Sequence, residues 1–126
     1  MNNIKTKKLT ILQVLPALNS GGVERGTLEI SKYLVSKKHR SIVVSEGGRM
    51  RDKLVKEGGE HIELAIGKKS LLTLRLIPKL IKILSTNNVD LIHIRSRFPA
   101  WICLIAIKFM ENKKIPSIVT TFHGPY

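Results

Sequence analysis

Strand-forming and helix-forming segments take turns along the whole chain, and this alternation limits the possible folds more than any other feature. LTILQVL (residues 9–15) is a short, continuously apolar run rich in strand formers, as expected of a strand covered on both faces. Val23, Thr27, Ile30 and Leu34 then recur at helical spacing, and SKKHR closes that segment with charge suited to a helix carboxyl end. SIVVSEGG (41–48) reads as a second strand, RMRDKLVKEGG (49–59) as a short basic helix stopped by Gly58 and Gly59, and EHIELAI (60–66) as a third strand. Leu74, Ile77, Ile81 and Leu84 mark a third helix, with Pro78 either near its true start or kinking it. NVDLIHI (88–94) gives strand four. FPAWICLIAIKFMENKK (98–114) is apolar almost all round, as a buried helix would be, and IPSIVTTF (115–122) is a fifth strand. Such a beat argues for an α/β domain: a Rossmann-like parallel sheet with right-handed crossovers and helices on both faces. At 126 residues a single domain with a real core is expected.

Composition narrows the function classes. Hydrophobic residues at 43% and charged ones at 25% are ordinary globular usage, which argues against disorder and fibrous repeats. Charge is less ordinary: 22 Lys plus Arg against 9 Asp plus Glu give +13, which favours anionic partners. Nucleic acid is the weakest of these, because the basic residues are scattered over all helices and the aromatics fall mostly in the expected core. Lys32, Lys37, Lys38 and Arg40 gather at the end of the first helix, and Arg49, Arg51, Lys53 and Lys56 on the second. They predict peripheral binding to an anionic membrane from the cytoplasmic side. MNNIKTKK followed by LTILQVLPAL has the order of a signal peptide, but Gln13 and Pro16 interrupt it and no A-x-A-like site follows. Residues 71–84 and 98–110 are shorter than the roughly 20 needed to span a bilayer. The one cysteine, Cys103, sits in an apolar stretch and reads as a core residue rather than a nucleophile.

In a doubly wound sheet, ligands bind beyond the carboxyl ends of the strands. The informative residues are therefore those that follow each strand: 19–25, 45–48, 93–97 and 123–126. Adjacent Gly21 and Gly22 allow positive φ and close approach of a ligand, and the helix that follows offers free N–H groups to an anion such as phosphate. A tight turn that simply prefers glycine, with Glu24 complementing the helix dipole, explains the same residues. The spacing matches neither G-x-G-x-x-G nor a P-loop. Arg95 and Arg97 could turn guanidinium forks toward phosphate or carboxylate near the glycine turn. His123, before Gly124, is expected at the same rim, whereas His39 and His61 are expected at the surface. No histidine pair has metal-ligand spacing and no Ser/His/Asp set is evident, so neither metal nor cofactor is expected.

LPALNSGGVERGTLEISKYL, VDLIHIRSRFPAW and IVTTFHG together resemble the amino-terminal domain of glycosyltransferase family 4, in particular the lipopolysaccharide core-type sugar transferases. The resemblance covers nearly the whole chain. It implies the amino-terminal half of a GT-B fold, in which two Rossmann-like domains face a cleft, and transfer of sugar from a nucleotide sugar, with retention, to a glycan or lipid-linked acceptor. By similarity Gly21 and Gly22 lie against the donor diphosphate, Glu24 and Arg25 shape the acceptor side, and His123 stands near the reacting sugar. Arg95 and Arg97 would then hold an anionic acceptor. HIR departs from the HxH form common in relatives, so no second histidine is available at position 95. The family's second domain, with its paired glutamates, is not found in these 126 residues, and the first domain itself reads as incomplete. The expectation is a truncated or split transferase or a fragment of a longer polypeptide, inactive alone and completed by a second domain that a separate gene could encode. The alternative is a non-catalytic remnant or acceptor-binding subunit.

Overall fold

The structure is a computed structural model that describes residues 7–18, 21–66, 71–110 and 114–121. Its elements run β1 (Thr10–Val14), α1 (Gly22–Ser36), β2 (Arg40–Ser45), α2 (Arg51–Lys56) and β3 (Glu60–Glu63). A 3₁₀ turn (Leu71–Leu76) then leads into α3 (Ile77–Thr86), β4 (Leu91–Ile94), α4 (Arg97–Lys108) and β5 (Ser117–Thr120). The strands form one parallel sheet in the order β3-β2-β1-β4-β5, so the direction of winding reverses between β1 and β4. The α/β, Rossmann-like reading therefore holds.

Period-two alternation sorts the strand residues into two cores. Leu12, Val14, Ile42, Val44, Ile92 and Ile94 pack with Leu80 and Leu84 of α3 and with Ala100, Ile102, Cys103 and Ala106 of α4. The opposite face of β1 and β2 sends Leu15 and Val43 against Leu28 of α1 and Leu54 of α2. In the first of these cores Cys103 is fully buried, and its apolar surroundings push the thiol up to about 12.

Pro78 occupies the first turn of α3, where a missing N–H costs nothing, and the residues before it form the 3₁₀ turn rather than an extension of the helix. Gly58 has φ +94°, and a Cβ on it would come within 2.7 Å of Val35 Cγ1, so glycine is required where α2 ends.

Three expectations are corrected. Helix α4 is not buried all round: Trp101 and Phe109 are each 66% exposed and Leu104 is exposed as well. Its small inner residues pack on the sheet, and no described element covers its outer side. The described aromatics lie outside the core: Trp101 and Phe109 on that outer side, and Tyr33 on the exposed side of α1. His39 and His61 are not free surface groups either. His39 Nδ1 accepts the Leu9 N–H at 3.0 Å, and His61 Nε2 shares a 2.7 Å hydrogen bond with the buried Ser45 hydroxyl. Among the described residues no helix is long and apolar enough to cross a membrane.

Candidate functional site

The carboxyl ends of the strands are stitched into one rim by backbone hydrogen bonds. Leu18 N–H donates to the Gly47 carbonyl and Met50 N–H to the Leu18 carbonyl, both at 2.8 Å, which joins the loop after β1 to the loop after β2. Arg95 N–H reaches the Val14 carbonyl and Thr121 N–H the Ile94 carbonyl, both at 3.0 Å, so the ends of β4 and β5 continue the same line. Of the segments expected at the rim (19–25, 45–48, 93–97 and 123–126), these bonds bring in Gly47 and Arg95 together with the flanking Leu18, Met50 and Thr121. His123 and Asn19 lie outside the described residues.

Gly21, at φ +147°, caps α1 in a conformation that L side chains rarely adopt, so glycine is needed there for the backbone itself. A Cβ on Gly21 would lie 3.1 Å from Glu24 Oε1. The Glu24 carboxylate thus rests against the turn, where it complements the helix dipole. Gly22 is different, because nothing lies within 4 Å of its Cβ position. The open side of this amino terminus is at Gly22.

Arg25 points elsewhere. It lines a shallow groove with Lys32 of its own helix and Lys53 of α2. The structure does not bring it together with Arg95. Arg97 begins α4, and its side chain lies outside the described set.

Arg95 stands at the winding reversal, but behind α1 rather than on the open rim; it is 7% exposed. Its Nε donates to Gln13 Oε1 at 2.9 Å, and Gln13 Nε2 donates in turn to the Thr27 carbonyl at 3.1 Å. A buried glutamine in the middle of β1 thus ties β4 to the second turn of α1. Nη1 is 3.8 Å from the Cβ position of Gly26, whereas Nη2 is buried with no hydrogen-bond partner. Burial lowers the guanidinium's pKa from its usual value. Gln13 was the residue that sequence reasoning passed over. The available signal was a lone amide in an apolar strand whose parallel neighbour ends in arginine.

Further along the rim, Gly47 N–H donates to Ser45 Oγ at 3.1 Å, so the Ser45–His61 pair holds the first turn of the loop after β2. Burial holds His61 below its usual pKa, helped by the charge of Arg51 and opposed by Glu63. On β4, His93 Nε2 and Thr121 Oγ1 lie 3.0 Å apart, a contact that joins the last two strands. Among the described residues no group of His, Cys, Asp or Glu is arranged to hold a metal ion.

The family model for Glycosyltransferase Family 4 matches residues 20–126, most of the chain including the glycine turn, Arg95 and the segment that contains His123. The chain belongs to glycosyltransferase family 4. This family-4 chain is also similar to a solved glycosyltransferase from Rickettsia africae ESF-5, with 43% sequence identity and a TM-score of 0.82 over 96% of its residues. It spans 31% of that protein's chain. No curated protein matches it.

Proposed function

We propose that this family-4 chain is the acceptor-side domain of a retaining glycosyltransferase, which moves sugar from a nucleotide sugar to a lipopolysaccharide or other glycan acceptor. The observation that carries the reading is the family match over 20–126 together with 43% identity to a solved glycosyltransferase. The nucleotide site belongs to polypeptide equivalent to the remainder of that longer relative, joined to this chain or separate. Here Gly21 and Gly22 take the donor diphosphate: the open Gly22 side and the free N–H groups of α1 suit charge that grows on a departing phosphate. Glu24 and Arg25 shape the acceptor side, and His123 positions the reacting sugar or moves a proton there. Exposed Lys32, Lys37 and Lys38 of the α1 end, with Lys53 and Lys56 of α2, favour peripheral attachment to an anionic membrane at its cytoplasmic face.

The test is release of UDP, GDP or ADP from their sugars in the presence of a lipid-linked glycan acceptor. The chain is assayed first alone and then with the remaining two thirds of the Rickettsia africae protein. Holding both reactants in register accounts for about 7–11 kcal/mol of barrier, so the chain alone is expected to be silent and the pair to turn over. Turnover by the chain alone overturns the two-part reading. Silence of the pair, with both halves folded and associated, favours a binding subunit. In an active pair, His123→Ala is expected to lower turnover by about 10²-fold or more without unfolding, the usual scale for a lost proton-transfer group.

A further inference from the structure

The two edges of the sheet are built differently. From that difference we infer that the open edge of β5 is a docking surface, where the polypeptide equivalent to the remainder of the longer family-4 relative adds a parallel strand. At the other edge β3 reads EHIE, with an exposed glutamate at each end and Glu60 gripped by Arg40 through bonds of 2.6 and 2.8 Å. Charge of this kind keeps an edge from pairing with other strands. β5 has the same length but reads SIVT, with no charge at all. The lysine just before it, Lys114, bonds to Asp90 instead.

Backbone direction shows what the open edge offers. Ser117 N–H donates to the Asp90 carbonyl and Thr121 N–H to the Ile94 carbonyl, both at 3.0 Å, so alternate residues of β5 from Ser117 onward face β4. The N–H and C=O groups of Ile118 and Thr120 therefore turn to the free edge, where no described strand meets them. Pro116, with no N–H, sets where an added strand can begin. The side chains make the same demand. Ile118 is the register partner of Ile92 and stands on the α3 and α4 side, Val119 is the partner of His93 and stands on the opposite side, and both are exposed. A parallel strand with aliphatics on both faces calls for a layer over each. In the α4 layer, Trp101 and Leu104 add exposed apolar surface one turn apart.

The occupant follows from length and charge. The chain spans 31% of the Rickettsia africae glycosyltransferase, which leaves more than two thirds of that protein to supply the strand and the layers. A second copy fits less well. It would bring a further +13 of charge to the edge, and a two-fold axis would pair β5 with itself antiparallel, against the direction of the whole sheet. Naming the partner as transferase polypeptide rests on the reading above; the open edge itself does not.

The test is amide hydrogen exchange on the 126-residue chain alone and on the chain joined, as one polypeptide, to the remaining two thirds of the Rickettsia africae protein. Alone, the Ile118 and Thr120 amides should exchange freely; in the joined protein they should slow by about 10²-fold or more. Thr120→Pro removes an N–H that β4 does not use, so it should leave the urea melt of the chain alone nearly unchanged. In the joined protein the same change should speed Ile118 exchange by about tenfold or more, the scale of one lost hydrogen bond. Free exchange at Ile118 and Thr120 in a folded joined protein would overturn the docking surface. Slow exchange in the chain alone would overturn it too, and slowing that grows with concentration would assign the edge to a second copy. Slow amides beside a silent nucleotide-release assay would keep the surface and remove the transferase reading, whereas turnover with free amides would do the reverse.

Discussion

Strands β2 and β5 are made of similar residues and meet opposite fates. Val43 and Val44 of β2 are 0% exposed, enclosed between β1, β3 and a helix layer on each face. In β5, Ile118 and Val119 stand on opposite faces, and both are exposed, Val119 to 42%. Among the described residues the strand pairs with β4 alone, and the helix that precedes it in the chain shows Trp101 and Leu104 on its outer side. Local preference for extended backbone therefore accounts for both strands, whereas burial depends on which neighbours arrive. A parallel strand with aliphatics on both faces has the composition of an interior strand even where it lies at an edge.

The contrast is most easily broken by stability measurements. Leu12→Ala, in the enclosed part, should lose about 2–5 kcal/mol in urea melts because it leaves a cavity under both α3 and α4. Trp101→Ala should stay within about 0.5 kcal/mol despite removing a larger side chain. Equal losses would mean that the outer side of α4 is packed.

Next in size is overpacking. A Cβ on Gly59 would lie 2.7 Å from Ser31 Oγ and 2.9 Å from Leu54 Cδ1, in the seam between α1 and α2. Gly59→Ala should therefore cost about 1–3 kcal/mol, while Val119→Thr at the open edge should be near neutral in the same melts. A tolerated alanine at 59 would show that the seam is loose.

Lipid binding sharpens the comparison from the outside. The enclosed side carries exposed Lys53 and Lys56 and the open edge carries Trp101 and Leu104. Sedimentation with anionic vesicles should be weakened by salt, and weakened by Lys53→Ala by about 1 kcal/mol, with Trp101→Ala neutral. The reverse ranking would transfer the membrane-facing role to the open edge.

The smallest effects are in pH. His61, in the enclosed part, has its folded pKa lowered chiefly by burial. The unfolded chain therefore takes up the proton first, and stability should fall as pH drops below about 6.5 toward the depressed folded value. Asp90 accepts from Lys114 Nζ and from the Thr10 N–H, and both hold its pKa below 3.8. Its contribution is present above that pH and is lost as pH falls through the folded value. His61→Gln should remove the first slope and Asp90→Asn the second. Coincident slopes would mean that the two regions titrate as one.

The alternation of segments made the sheet and helix order legible, because β1, β2, β4 and β5 are short apolar runs, α1 and α3 carry a 3.6-residue apolar period, and glycines bound the short basic α2. Two things were not legible. The outer side of α4 is as apolar as its inner side, so sequence could not tell that Trp101 lacks a cover and Cys103 has one. At the site, the rim positions of Gly21, Gly22 and Arg95 followed from the rule for strand ends, but side-chain direction did not. Arg95 turns inward because Gln13, on the neighbouring strand, offers it an oxygen. That pairing joins residues far apart in the chain, and its one trace in the sequence is the lone amide of Gln13 in an apolar strand.

Cys103 gives α4 a built-in chemical clock. It is the chain's one sulfhydryl, fully buried in the core that α3, α4 and the sheet share, and held as the unreactive protonated thiol. A maleimide can therefore modify the native chain only in moments when α4 lifts away. The rate of that single modification counts the openings of the helix whose outer side is bare, and anything that settles on that side should slow it.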